Sequence, residues 1–130
     1  MLVRDAMTRA VLAVGPAHSL REAARLMSSR KVGAAVVVDP DKGTPGILTE
    51  RDVLDAIGAG QDPDSERVAD HLTADIVVAA PDWSLEAAAA AMVAGNFRHL
   101  IVCEGSEVVG MLSVRDVVRM WSPQDQPASA

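Results

Sequence analysis

The chain is written twice. A shift of 65 positions places Val3, Asp5, Thr8, Pro16, Ser19, Leu20 and Met27 on identical residues, Val68, Asp70, Thr73, Pro81, Ser84, Leu85 and Met92. One residue is lost from the loop after Asp39, and the shift becomes 64, which sets Gly46-Ile-Leu-Thr-Glu-Arg-Asp52 on Gly110-Met-Leu-Ser-Val-Arg-Asp116. Self-similarity over nearly the whole length requires a repeated structural unit, so any fold open to one copy must also suit the other. The copies are expected over residues 1–60 and 68–121, joined by a linker at 61–67. Helix-ending glycines and a polar, Pro-containing stretch from Gly58 to Asp64 mark that connector. The tail, residues 122–130 with Pro123 and Pro127, is expected to fray.

Each copy repeats one order of local patterns. A short β-prone run, Val11 to Val14 or Ile76 to Ala79, ends just before a proline. A helix follows, and in the first copy Ser19 with Glu22 forms a capping box ahead of an apolar stripe at Leu20, Ala23, Ala24 and Met27. The runs Ala35 to Val38 and Leu100 to Cys103 are continuous and apolar, as strands buried on both faces are. A Gly-containing turn leads each to a second run ending in Ile47-Leu48 or Met111-Leu112, and a second helix closes the copy. The predicted fold is α+β, two β-α-β-β-α repeats. Units of about sixty residues are marginal alone, so the two are expected to pack on each other.

The second copy's first helix breaks the amphipathic pattern. Leu85-Glu-Ala-Ala-Ala-Ala-Ala-Met-Val93 has one charged side chain and no solvent face, which predicts burial all round through a second interface, most simply a homodimer. A helix sandwiched inside the monomer is the alternative.

Charge and cysteine content narrow the partners. Eighteen acidic against twelve basic residues give a net charge of −6, which argues against nucleic acid because phosphate binding needs clustered Lys and Arg. The single cysteine, Cys103, closes no intramolecular disulfide, and Arg4 and Asp5 interrupt the start before any signal peptide or membrane span can form. The expectation is a soluble, cytoplasmic chain with no membrane partner.

Tandem units that end in Gly-hydrophobic-Leu-Thr/Ser-x-Arg-Asp resemble CBS domains. The likeness covers residues 3 to 121 and rests on the duplication, Gly46 to Asp52, Phe97-Arg-His-Leu-Ile-Val102, and the Asp-x-Met/Leu-Thr openings at Asp5 and Asp70. The resemblance implies two domains about a pseudo-twofold axis, with AMP, ADP, ATP or S-adenosylmethionine held in a cleft between them. It also implies a ribose clamp at Asp52 and Asp116.

The residues give that clamp a chemical basis. Thr49 and Ser113 stand where the last strand turns into the closing helix, where free backbone N–H groups and the helix dipole suit a phosphate. Three residues on, Asp52 and Asp116 would face the same mouth, where an ionised carboxylate accepts ribose hydroxyls. Arg51, Arg115, Arg98 and His99 are candidate phosphate ligands, since a net-acidic chain must supply positive charge locally. Backbone near Thr8 to Val11, Val32 to Ala34, Thr73 to Ile76 and Phe97 to Leu100 would read the adenine edge. Arg98-His99 in place of Gly33-Ala34 predicts unequal clefts.

Simpler roles compete with these. Thr-x-x-Asp is also a helix cap that needs no ligand, and the two roles are compatible if the hydroxyl caps and the carboxylate is reserved for ribose. His99 is a structural histidine at a strand start on the simpler reading; His18 and His71 are read as surface or capping residues, Cys103 as a buried small hydrophobe, Trp83 and Trp121 as anchors. There is no metal-ligand pattern, no nucleophile with a histidine, no paired acid and base and no Gly-rich phosphate loop. The reading is a stand-alone regulatory module, not an enzyme, that requires no cofactor, binds an adenine nucleotide as ligand and signals to an effector protein. The alternatives are a ligand-free interaction or oligomerisation module and, against the charge, a binder of single-stranded nucleic acid.

Overall fold

A computed structural model describes residues 1–42 and 44–121, so the expectation for the tail, 122–130, lies outside the described residues. The chain forms two compact units that do not coincide with its two repeats. A continuous unit spans Val11–Ile76, and a split unit joins Met1–Ala10 to the chain from Val77 onward. The first ten residues therefore belong with the second repeat's elements, and residues up to Ile76 with the first's.

The continuous unit is built on a three-stranded sheet of β1 (Ala13–Val14), β2 (Ala34–Val37) and β3 (Gly46–Thr49), parallel between β1 and β2 and antiparallel between β2 and β3. Helix α2 (Leu20–Arg30), which follows the short α1 (Val3–Ala6) of the split unit in chain order, starts at the expected capping box: the Glu22 N–H donates to Ser19 Oγ and the Ser19 N–H to Glu22 Oε1. Leu20, Ala23 and Met27 are buried against Ala35, Val37 and Leu48. It stops at Lys31, whose left-handed φ of 57° lets its N–H reach back to the Met27 carbonyl. Helix α3 (Glu50–Gly58) closes the unit. A 3-10 turn at Val68–Asp70 then buries Val68 completely in the same core.

The split unit follows the same plan with β4 (Val78–Ala79), α4 (Leu85–Gly95), β5 (His99–Glu104), β6 (Glu107–Ser113) and α5 (Val114–Met120), in sheet order β4-β5-β6. Its β5-β6 hairpin is longer and carries a bulge between Val102 and Cys103. The α1 segment (Val3–Ala6) takes the place of the 3-10 turn, with Val3 fully buried beside Leu85, Leu100 and Leu112. Neither short opening helix was signalled by the repeat pattern, because runs of four and three residues are too short for a helical period to show.

Matched backbone bonds tie each opening segment down. In the split unit the Val3 N–H donates to the Trp83 carbonyl and the Leu85 N–H to the Met1 carbonyl; in the continuous unit Val68 donates to His18 and Leu20 to Glu66. Thr8 and Met111 exchange two bonds, as do Thr73 and Ile47.

Several expectations need correction. The first strands are two residues long, because the chain turns at Gly15-Pro16 and Ala80-Pro81 before a longer ladder forms. Val38 lies beyond β2 and is 51% exposed, while Ala35 to Val37 are buried as expected and the strand begins one residue earlier, at Ala34. Helix α4 is not sandwiched within the chain, the alternative to a second interface: among the described residues Leu85, Ala88 and Met92 face the core, whereas Ala87, Ala90, Ala94 and Val93 are exposed, Val93 by 83%. Trp83 packs on the split unit's core, but Trp121 is 58% exposed and anchors nothing there. No helix among the described residues is long and apolar enough to cross a membrane.

Candidate functional site

In each unit the chain gathers the expected residues at one end of the sheet, by register. Ala34 pairs with Thr49 in the continuous unit, and the Glu50 N–H donates to the Gly33 carbonyl at 2.9 Å. In the split unit His99 pairs with Ser113, and the Val114 N–H donates to the Arg98 carbonyl at 2.9 Å. The strand start and the helix start are thus stitched together, so residues 33–34 and 98–99 stand beside the two hydroxyls. The opening segments supply Thr73 to the continuous unit and Thr8 to the split unit, each bonded to the residue that follows the Gly of the repeated motif.

The predicted set therefore divides. Val11, Val32, Ala34, Thr49, Arg51, Asp52, Thr73 and Ile76 belong to the continuous unit; Thr8, Phe97, Arg98, His99, Ser113, Arg115 and Asp116 belong to the split one. Val11 and Ile76 are the first and last residues of their unit, at the points where the chain passes between units. Phe97 packs under the end of α4 and against the core, so its ring is spent on packing. Arg98, Arg115 and Arg51 are exposed.

The helix starts are more fully capped than a phosphate site built on free N–H groups requires. Thr49 Oγ1 accepts the Asp52 N–H at 3.3 Å, and Glu50's N–H is taken by the Gly33 carbonyl, so two of the N–H groups at the start of α3 are already committed. Ser113 accepts the Asp116 N–H at 3.1 Å in the same way. The carboxylates close the boxes too: Asp52 Oδ2 accepts from the Thr49 N–H at 2.8 Å and from the Thr49 hydroxyl at 3.1 Å, and Asp116 Oδ2 accepts from the Ser113 N–H at 2.8 Å. The division of labour expected from the sequence, with the hydroxyl capping and the carboxylate reserved, does not hold. Both groups cap.

The second carboxylate oxygens are treated differently. Asp52 Oδ1 has no protein partner among the described residues, and the side chain is partly exposed. Asp116 is 5% exposed, and its Oδ1 accepts from Arg119 Nη2 at 2.5 Å. In the first copy the position matching Arg119 is Asp55, which instead draws Arg51 into an ion pair at 3.1 Å. Sequence reasoning passed over Arg119, although the charge reversal at a matched position was its signal.

The remaining candidates take ordinary roles. His18 Nδ1 accepts the Gly15 N–H at 3.0 Å and shapes the turn before α2; His71 pairs with Glu66 at 2.7 Å. Cys103 is half-buried, and burial pushes its thiol pKa up, away from a reactive thiolate. Among the described residues no three His, Cys, Asp or Glu side chains come together as a metal site.

Comparison with known proteins matches this geometry. The family model of the CBS domain fits the chain at residues 3–59 and again at 68–122. The CBS domain-containing protein YhcV of Bacillus subtilis is 33% identical over 129 residues, 98% of this chain and 91% of its own. The chain spans 42% of a longer curated relative from Methanocaldococcus jannaschii. Among solved structures, a CBS-domain protein from Agrobacterium tumefaciens superposes with a TM-score of 0.82 at 33% identity, with 91% of each chain covered. One from Pyrobaculum aerophilum, solved in complex with AMP, gives 0.81 at 26% identity over 89% of each chain.

Proposed function

Because the chain belongs to the CBS-domain family, to which two stretches of it match, we propose that it is a regulatory module that binds an adenine nucleotide or adenosyl ligand without turnover and passes occupancy to an effector protein or to its own dimer state. One observation carries this reading: the Thr49–Asp52 corner holds a partly exposed carboxylate in place by its capping bonds, while its other oxygen has no partner among the described residues. A pre-oriented acceptor of this kind suits a sugar hydroxyl. The AMP complex of the Pyrobaculum aerophilum protein supports the ligand class.

In this reading Asp52 and Asp116 take ribose hydroxyls. Thr49 and Ser113 stand beside the phosphate, and Arg51, Arg98, His99 and Arg115 supply the positive charge. The backbones at Thr8, Val11, Val32, Ala34, Thr73, Ile76 and Phe97 to Leu100 read the base. Signalling requires only that the ligand bind one arrangement of the chain better than another.

Thermal melts against AMP, ADP, ATP, S-adenosylmethionine and an oligonucleotide test it. A ligand at 100 times its Kd adds about 2.7 kcal/mol, a rise in Tm on the order of 10 °C. Asp52→Ala is expected to shrink that rise by more than it lowers the ligand-free Tm. No shift with any adenine compound would favour the second reading, a ligand-free oligomerisation module. The exposed Ala87, Ala90, Val93 and Ala94 face of α4 speaks for that one.

A further inference from the structure

The two carboxylates hold the same position, the third residue of a closing helix, and make the same bond to the backbone behind them. What differs is the residue three positions further on. Arg119 reaches back and takes the remaining oxygen of Asp116, and the arginine stays half-exposed while the carboxylate beneath it is covered. Asp55 cannot do this for Asp52, since a carboxylate offers another carboxylate no donor; it pairs with Arg51 instead. A ribose diol presents hydroxyl donors; a carboxylate oxygen can accept more than one, but a carboxylate only 5% exposed and bonded to a guanidinium is open to a diol only once that guanidinium moves aside. At Asp52 no bond has to break.

We infer that the residue three positions beyond each carboxylate sets the order of binding: Arg119 is a built-in competitor for the Asp116 carboxylate, so Asp52 takes the first ligand. This rests on the adenine-binding reading above and adds to it a specificity-determining residue, Arg119, outside the repeated motif. It also makes the second binding event dependent on displacing Arg119, so that event responds to a ligand concentration higher than the first requires.

Calorimetric titration of the full chain with AMP, and then with ATP and S-adenosylmethionine, tests the order in wild type, Asp52→Ala, Arg119→Ala and Asp55→Arg. The tighter event should vanish in Asp52→Ala. Arg119→Ala should tighten the weaker event by about fivefold, and Asp55→Arg, which installs the competitor beside Asp52, should weaken the tighter event by a similar factor. If Arg119→Ala loosens the weaker event, the arginine is a ligand group and the inference is overturned; unchanged constants overturn it as well. Absence of heat with all three ligands in wild type would defeat the adenine reading itself, whereas binding that survives Asp52→Ala and is lost in Asp116→Ala would defeat only the order. Arg119→Gln, which keeps much of the stem, serves if Arg119→Ala does not fold.

Discussion

Gly110 stands so close to Thr8 that a β-carbon at this glycine would lie 3.0 Å from the Thr8 carbonyl oxygen, and 2.7 Å from the Met7 sulfur. The neighbouring Met111 exchanges two backbone bonds of 2.9 Å with Thr8, so the glycine is what allows the opening segment to lie against β6. Gly110→Ala is expected to cost about 1–2 kcal/mol, because the Met7 side chain can swing away but the Thr8 backbone cannot. A thermal melt should show a fall of roughly 5 °C. An unchanged Tm would mean the segment yields freely.

Lys31 ends α2 at a φ of 57°, where a β-carbon is disfavoured, and Asn96 ends α4 at the same value with a residue that tolerates it better. Lys31→Gly should therefore stabilise by about 1 kcal/mol, and Asn96→Gly by distinctly less. Denaturant midpoints at equal m-value measure both. A loss of stability in Lys31→Gly would contradict the account.

Removal of the capping carboxylates should be unequal before any ligand is present. Asp52→Ala loses bonds to Thr49 alone and is expected to cost about 1 kcal/mol, a helix-cap effect. Asp116→Ala also strands Arg119 and opens a buried site, which raises the cost to roughly 2 kcal/mol. Equal melting temperatures for the two variants would argue that Arg119 adds nothing to the folded state.

The Ser19 backbone N–H, and then its hydroxyl, hold Glu22 below the ordinary carboxylate range. A depressed folded pKa adds stability that is complete above the unfolded value and disappears as pH falls through the folded one. Wild type should therefore lose an increment of Tm on acidification that Glu22→Gln lacks. Parallel curves for the two proteins from neutral pH down to the acid range would exclude this linkage.

Val93 is 83% exposed on a helix face that also presents Glu86, Ala87, Ala90 and Ala94. If that face joins two copies, Val93→Glu should lower the mass seen by sedimentation equilibrium toward the monomer without lowering far-UV helicity. A monomeric wild type would remove the basis for the dimer.

How legible all this was in the sequence depends on the range over which each feature acts. The Ser19 to Glu22 capping box and the Leu20, Ala23, Met27 stripe act within one or two turns, and the structure places them where the pattern does. The strand read as Ala35 to Val38 was legible to within one residue of its observed bounds, Ala34–Val37, because burial on both faces removes polar residues from a run. What surrounds helix α4 was not legible, because an alanine suits a solvent-exposed face as well as one covered by a second copy. At the candidate site the residue types were visible but their commitments were not. Whether Asp52 keeps a free oxygen depends on whether residue 55 or 119 is a donor, and that comparison needs the two copies aligned past the end of the motif.

The assignment of Met1–Ala10 to the split unit bears on how the chain is made. As it leaves the ribosome, the continuous unit has all its parts once Ile76 has emerged, and it can close on its own. The opening ten residues must wait for partners until Pro81, Trp83 and Leu85 have been synthesised, and Thr8 waits longer still, for Met111 of β6. Cleavage midway between the repeats would part Val68 from the core it fills and Val3 from its own, so the smallest piece that keeps both cores intact is the uncut pair.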